Sequence, residues 1–389
     1  MDKANNYWFV LEPYVYSHII EDQILLYNTL DGSVIETESH EVKIFLQELL
    51  KEENGGICIL SNEQYNKKDI NEFIYNVREK FMGDIINVNL SKRKPIQILP
   101  YVDFLNRKRL KDGFLRVDNI LQLLFDVTFE IDQYTDINGL ISFIKTLPNN
   151  IHLNFKIDSN KKPSIEDLFL YLNQIDSDKN ILCKYKNIFT SNCIFPNNFH
   201  YKIFIDFPLD KYLWDQAINK LNQQRLPYRL IFEINETNNI EQSERLIQQY
   251  QINKYHFLPV YTKGNIDFFK ENVFLTKNDI LSTPITMKDI FKKQVLNIND
   301  FGKIIIQSNG DVYANKHHPV LGNIYKHSIY WLIQKEINEG LSWLRIRNQT
   351  PCNQCIYQWL CPSPSDYELE IGKSNLCNIQ LKKQYIYYE

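Results

Sequence analysis

Four cysteines crowd into the last 38 residues of a 389-residue chain that has only seven in all. They stand at Cys352, Cys355, Cys361 and Cys377, in the spacing Cys-x2-Cys-x5-Cys-x15-Cys. Two thiols two residues apart in a tight turn point at one centre, and the third and fourth can complete a four-thiolate site. Thiolates are soft ligands that suit iron–sulfur clusters or zinc. Structural zinc sites more often carry two short knuckles, and only one is present, which tilts the reading toward a cluster, with zinc as the alternative. Cys58, Cys183 and Cys193 are scattered and read as buried, inert thiols.

Other chemistry is weakly signalled. Glu130, Asp132, Asp206 and Glu233 fall near expected strand ends, where paired carboxylates can run glycosidase-like acid/base chemistry. This is the competing, hydrolytic reading, and it leaves the tail unexplained. His317 and His318 read as exposed loop residues, and His18 and His40 are scattered. No Gly-x4-Gly-Lys-Ser/Thr run exists, so a P-loop ATPase is not indicated. A net charge of −3, from 44 basic and 47 acidic residues, argues against a nucleic-acid binder. The N-terminus lacks a basic patch followed by an apolar run, so no secretory signal is expected. No apolar stretch approaches the ~18 residues of a membrane span. A reducing, cytoplasmic setting is expected, in which clustered cysteines bind metal or do redox chemistry rather than pair.

The elements around these residues divide the chain at about 1–90, 91–298 and 299–389. In the first part, strands at Tyr14–Ile20, Gln23–Leu30 and Ser33–Glu36 surround the hairpin signal Asp31-Gly32. Ser39 caps a helix whose apolar stripe is Val42, Phe45, Leu46, Leu49 and Leu50, and a second helix carries Ile70, Phe73, Ile74, Val77 and Phe81. The layout is a small winged-helix-like α+β unit. The second part alternates strands with helices. The strands are Ile96–Leu99, Val127–Ile131, Ile151–Ile157, Tyr201–Asp206, Tyr228–Ile234 and Lys254–Val260. The helices include Ile137–Leu147, Ser164–Leu172, Leu209–Leu221 and Ile240–Tyr250. Six such units suit a partial (β/α) barrel, an α/β fold, though an open doubly wound sheet would show the same alternation. Residues 261–300 read as a polar connector. A hairpin, Lys303–Gln307 with Val312-Tyr313 across Asn309-Gly310, leads to a helix capped by Ser328 and then to the cysteines.

The tail resembles the SPASM domain, the auxiliary-cluster domain of radical S-adenosylmethionine peptide-maturing enzymes. That domain shows a Cys, then Gly-x4-Cys, then Cys-x2-Cys-x5-Cys-x3-Cys, then a final Cys. Gly310 matches the Gly of Gly-x4-Cys, but Asn315 stands at the cysteine position and Ser365 at the x3 position after Cys361. No cysteine closely precedes Gly310. The resemblance implies that these three positions would have held the first auxiliary cluster. The positions of the second, Cys352, Cys355, Cys361 and Cys377, all remain. The Cys-x3-Cys-x2-Cys motif that holds the catalytic cluster is absent from the matching stretch Ile96–Leu105, and no Gly-Gly-Glu follows the second strand.

The chain therefore resembles the pseudo-radical-SAM proteins of Bacteroidales-type peptide systems with double-glycine leaders, and its first part resembles the PqqD-like peptide-recognition element. The resemblance implies a partial barrel of radical-SAM type with a C-terminal SPASM-like domain. It also implies a non-catalytic protein with one [4Fe–4S] cluster on the four cysteines and no use of S-adenosylmethionine. Its expected partners are a leader-bearing precursor peptide and a catalytic radical-SAM maturase, without nucleic acid or membrane. The third strand and the Val42–Leu50 helix would dock the leader; the plain alternative is a small α+β domain packed on the barrel. A zinc-stabilised scaffold is the other alternative.

Overall fold

The computed structural model describes residues 6–91, 93–100, 113, 120–157, 165–190 and 198–379. Cys193 and the start of the Ser164–Leu172 helix lie outside them. Two three-stranded sheets build the N-terminal part. In one, β1 (Tyr7–Leu11) runs antiparallel between β5 (Ile57–Leu60) and β6 (Gly83–Asn87). The other has the order β2 (Val15–Ile20), β3 (Gln23–Asn28), β4 (Val34–Thr37). Gly32 takes a φ of +80° in the β3–β4 turn, a backbone state that glycine adopts freely. Ser39 caps α1 (His40–Leu49), accepting from the Val42 N–H at 3.5 Å, and the helix buries Val42, Phe45, Leu46 and Leu49. After the short α2 (Asn62–Tyr65), α3 (Lys68–Glu79) buries Ile70, Phe73, Ile74 and Val77 into the same core. The strands β1, β5 and β6 are additions to the three-strand layout expected from the sequence.

A nine-stranded sheet forms the rest. Its parallel part runs in chain order: β7 (Asp126–Ile131), β8 (His152–Ile157), β9 (Asp178–Lys184), β10 (His200–Ile205), β11 (Tyr228–Ile234) and β12 (Tyr255–Pro259). From β7 to β12 the order does not reverse; the next strand, Lys303–Ile306, returns to the other side of β7 and also runs parallel to it. Alternation along the strands explains the layering. Val127, Phe129 and Ile131 of β7 join one core with α4 (Ile137–Ile144), α5 (Glu166–Leu172), α6 (Tyr185–Thr190), α7 (Lys211–Gln223) and α8 (Thr237–Tyr250). Asp126, Thr128 and Glu130 point the other way. A parallel sheet buried on both faces would read as a continuous apolar run.

Two expectations are corrected here. Ile96–Leu99 is not a strand: Ile96 is 95% and Ile98 80% exposed, while Gln97 donates to the Leu11 carbonyl and Leu99 packs on the N-terminal core. The alternation there belongs to a peg on the first unit. The sixth parallel strand is β9, whose polar start conceals it in the sequence. Residues 261–300 are not weakly structured either. They hold α9 (Ile266–Asn272), α10 (Lys277–Leu281) and α11 (Met287–Val295), which bury Phe269, Ile280 and Ile290.

The C-terminal part continues the large sheet. β13 (Lys303–Ile306) pairs parallel with β7, and β14 (Asp311–Tyr313) and β15 (Gly322–Asn323) follow antiparallel. Ser328 caps α12 (Ile329–Glu339), and α13 (Asp366–Ile371) lies between the third and fourth tail cysteines. Among the described residues, no helix is long and apolar enough to cross a membrane.

Candidate metal centre

Cys352, Cys355, Cys361 and Cys377 all line one cavity of about 220 Å³. Local turns place the first three. Cys352 opens a 3-10 turn and accepts from the Cys355 N–H at 3.1 Å; Gln358 N–H bonds Cys355 O at 3.0 Å, and Cys361 N–H bonds Tyr357 O at 3.0 Å. Cys377 arrives from farther along the chain. It is fixed by a parallel bridge to Leu275, with bonds from Leu275 N–H to Leu376 O at 3.0 Å and from Asn378 N–H to Leu275 O at 2.9 Å. The supposed connector therefore builds one wall of the site.

Donors face the sulfurs. Arg347 Nη1 and Asn375 Nδ2 each stand 3.8 Å from Cys352 Sγ, and the Ile379 N–H donates to Cys377 Sγ at 3.3 Å. Arg347 is buried. Its Nη2 pairs with the buried Glu368 at 2.9 Å, and its Nε donates to Pro362 O at 2.5 Å. Burial disfavours its cation, but Glu368 and the sulfurs of Cys361 and Cys352 outweigh that and push its pKa up. Lys293 of α11 donates to Leu360 O at 2.9 Å. Burial pushes the thiols toward neutrality, Cys355 to about 11 and Cys361 to about 12. Both stay raised even beside the Arg347 cation; a metal or cluster would take them as thiolates, so its binding would release protons. Among the described residues, no three His, Cys, Asp or Glu side chains draw together closely enough to hold a single ion.

The positions that depart from the resembled motif also meet. Asn315 is buried and its Nδ2 donates to Asp300 Oδ1 at 3.2 Å and to Asp366 Oδ1 at 2.5 Å, beside Ser365. Arg345 Nη2 reaches Pro364 O at 3.3 Å, Ser365 O at 3.1 Å and Asp300 Oδ2 at 3.7 Å. Burial, with Asp366 nearby, raises the Asp300 pKa to about 6 despite Arg345 and Asn315. His318 is not the free loop residue expected. It is half-buried, with Nδ1 at 2.7 Å from Ser342 Oγ. His317 is exposed.

The strand-end carboxylates Glu130, Asp132, Asp206 and Glu233 line a separate cavity of about 990 Å³. Glu130 pairs with Lys156 at 3.1 Å and Lys316 at 2.5 Å, and Asp206 with Lys184 at 3.1 Å and Lys186 at 2.9 Å. Burial works against both carboxylates, but the paired lysines win and hold each pKa below its ordinary value. A glycosidase acid needs a raised pKa, so neither group suits that role. Cys58 is buried and Cys183 half-buried, and burial pushes both thiols to about 12.

No family model matches the chain, and no curated protein does. Two solved structures do, native anSMEcpe with bound AdoMet and a histidine-tagged form of anSMEcpe with bound AdoMet. Identities are 11% and 12%, each at a TM-score of 0.38, covering 60% and 61% of this chain and 88% of the other. The likeness is one of general layout and is too distant to bear on chemistry.

Proposed function

We propose that this chain is a non-catalytic relative of radical S-adenosylmethionine enzymes, with a radical-SAM-type partial barrel and a SPASM-like tail, that assists maturation of a ribosomally made peptide. One observation carries the reading: three cysteines from consecutive local turns and a fourth from farther along the chain line a single volume, while Asn315 and Asp366, next to Ser365, close a neighbouring polar knot. A single Cys-x2-Cys knuckle, and a cavity of about 220 Å³ lined by all four cysteines, support a [4Fe–4S] cluster over zinc. Cys352, Cys355, Cys361 and Cys377 would hold it. Fully ligated by protein, such a group supplies a structural cross-link or stores an electron. Arg347, Asn375 and the Ile379 N–H would steady the charge on its sulfurs. The winged-helix-like N-terminal unit would receive the precursor peptide along β4 and α1, and a catalytic maturase would be the second partner.

Anaerobic purification tests this directly. The expected protein is brown, absorbs near ~400 nm, and yields no 5′-deoxyadenosine with S-adenosylmethionine and dithionite. A colourless protein with one zinc per chain removes the cluster. Appearance of 5′-deoxyadenosine removes the non-catalytic reading.

A further inference from the structure

Three segments meet at Lys277, which opens α10. Its Nζ lies 2.7 Å from Glu36 Oε2 on β4 and 5.5 Å from the centre of the Tyr357 ring. Tyr357 sits two residues beyond Cys355, inside the cysteine loop. The same face of the sheet grips that loop again, through His18 Nδ1 at 2.9 Å from Ile356 O. A groove of about 510 Å³ runs between these elements, lined by Glu36, Glu38, Lys277, Cys355, Tyr357 and Ile379. Cys355 thus borders both this groove and the four-cysteine cavity.

The strand beside the groove has an open edge. The sheet order β2-β3-β4 gives the outer side of β4 no strand partner among the described residues. Asn28 N–H donates to Ser33 O at 2.9 Å, which fixes the alternation of the antiparallel ladder. By that alternation, Ile35 and Thr37 face β3, and the backbone groups of Val34 and Glu36 face outward. Lys80 Nζ takes the Val34 carbonyl at 2.5 Å. The Val34 N–H and both Glu36 groups remain on the edge. Main-chain bonding to such an edge suits an extended peptide. A cationic side chain opposite Glu36 forms a favourable cross-strand pair, and Glu38 adds a second carboxylate to the groove.

We propose that an extended peptide with a Lys or Arg opposite Glu36 adds to β4, takes the Glu36 carboxylate from Lys277, and thereby loosens the loop that carries Cys355. Peptide occupancy and the state of the cysteine cavity are then one coupled equilibrium. This rests on the peptide-recognition reading above. Linkage makes the coupling reciprocal, so loading the cavity changes peptide affinity by the same factor.

The test uses the full chain, reduced and metal-free, with the synthetic peptide Ac-Thr-Lys-Val-Lys-Thr-Lys-Val-NH2 and a matching Glu-for-Lys control. Hydrogen exchange reads the Val34 and Glu36 amides; iodoacetamide labelling followed by mass spectrometry reads Cys355. The basic peptide is expected to slow amide exchange and raise the Cys355 labelling rate about fivefold, and the acidic control to do neither. In Lys277→Met the basic peptide still protects the amides, but the labelling change disappears. Failure to protect the amides overturns docking on β4. Protection with unchanged Cys355 labelling in the unmutated protein overturns the coupling alone. Coupling that survives in Lys277→Met overturns the lysine route.

Discussion

Arg345 and Arg347 stand two residues apart and serve two sites of opposite character. Arg347 faces the sulfur-lined cavity, anchored by Glu368 and the Pro362 carbonyl, with Nη1 turned to Cys352. Arg345 belongs to the polar knot, where it meets carbonyls of Pro364 and Ser365 and the Asp300 carboxylate. The first site keeps a volume walled by sulfur, with cationic and amide donors directed at it. The second is closed from within, because Asn315 donates to Asp300 and Asp366 together, although Asp300 Oδ2 and Arg345 Nε are left without a hydrogen-bond partner. On the proposed reading the first would take an outside group, while the second is held by hydrogen bonds of its own.

Substitutions should separate the two. Glu368→Ala has the largest expected effect, since it leaves Arg347 buried and uncompensated; about 3–5 kcal/mol should be lost in urea denaturation, together with bound metal. A loss within the range of a surface pair, about 1 kcal/mol or less, would show that Arg347 finds another partner. Asn315→Ala should cost about 1–3 kcal/mol by stranding two carboxylates, with metal content intact. Metal lost along with it would merge the two sites into one.

The polar knot should also respond to pH. Asp300 is raised from 3.8 to about 6, so the unfolded chain releases its proton first as pH rises. Stability from this group is complete below pH 3.8 and falls as pH climbs toward 6. Asp300→Asn should therefore gain melting temperature over the unmutated protein above pH 6 and little below pH 4. A difference that is flat with pH would contradict the assignment. Ser365→Ala is expected to cost only about 0.5 kcal/mol, the low end of cap losses, because the Ser365 N–H keeps its 2.8 Å bond to Glu368. Iron content should not change; a drop would give Ser365 a role at the sulfur site.

The sequence was most legible where chemistry is local. The short spacing of Cys352, Cys355 and Cys361 announces one centre, and the alternation of Asp126–Ile131 announces a strand with one covered face. It was least legible where a wall comes from far away. Nothing near Leu275 signals that it braces Cys377, and α9, α10 and α11 each bury too few apolar residues to show a period. Ile96 and Ile98 misled for the converse reason. They alternate as a strand does, yet Pro95 and Pro100 flank a segment that packs through Gln97 and Leu99 instead. The strand-end carboxylates were visible, but not the lysines paired with Glu130 and Asp206, because those lie on other elements of the fold.

The parallel pairing of β13 with β7 bears on how the chain comes apart. Ile304, Ile306, Leu332 and Trp343 join the same core as the parallel strands, and Trp343 Nε1 donates to Lys303 O at 2.9 Å. A chain stopped before residue 299 would strip β7 of a neighbour and present a raw hydrogen-bonding edge, an invitation to aggregate. The tail is better regarded as the closing staves of the sheet than as an appendage. Its melting should be cooperative with the parallel sheet, and synthesis must reach the last third of the chain before the first parallel strand is secured on both sides.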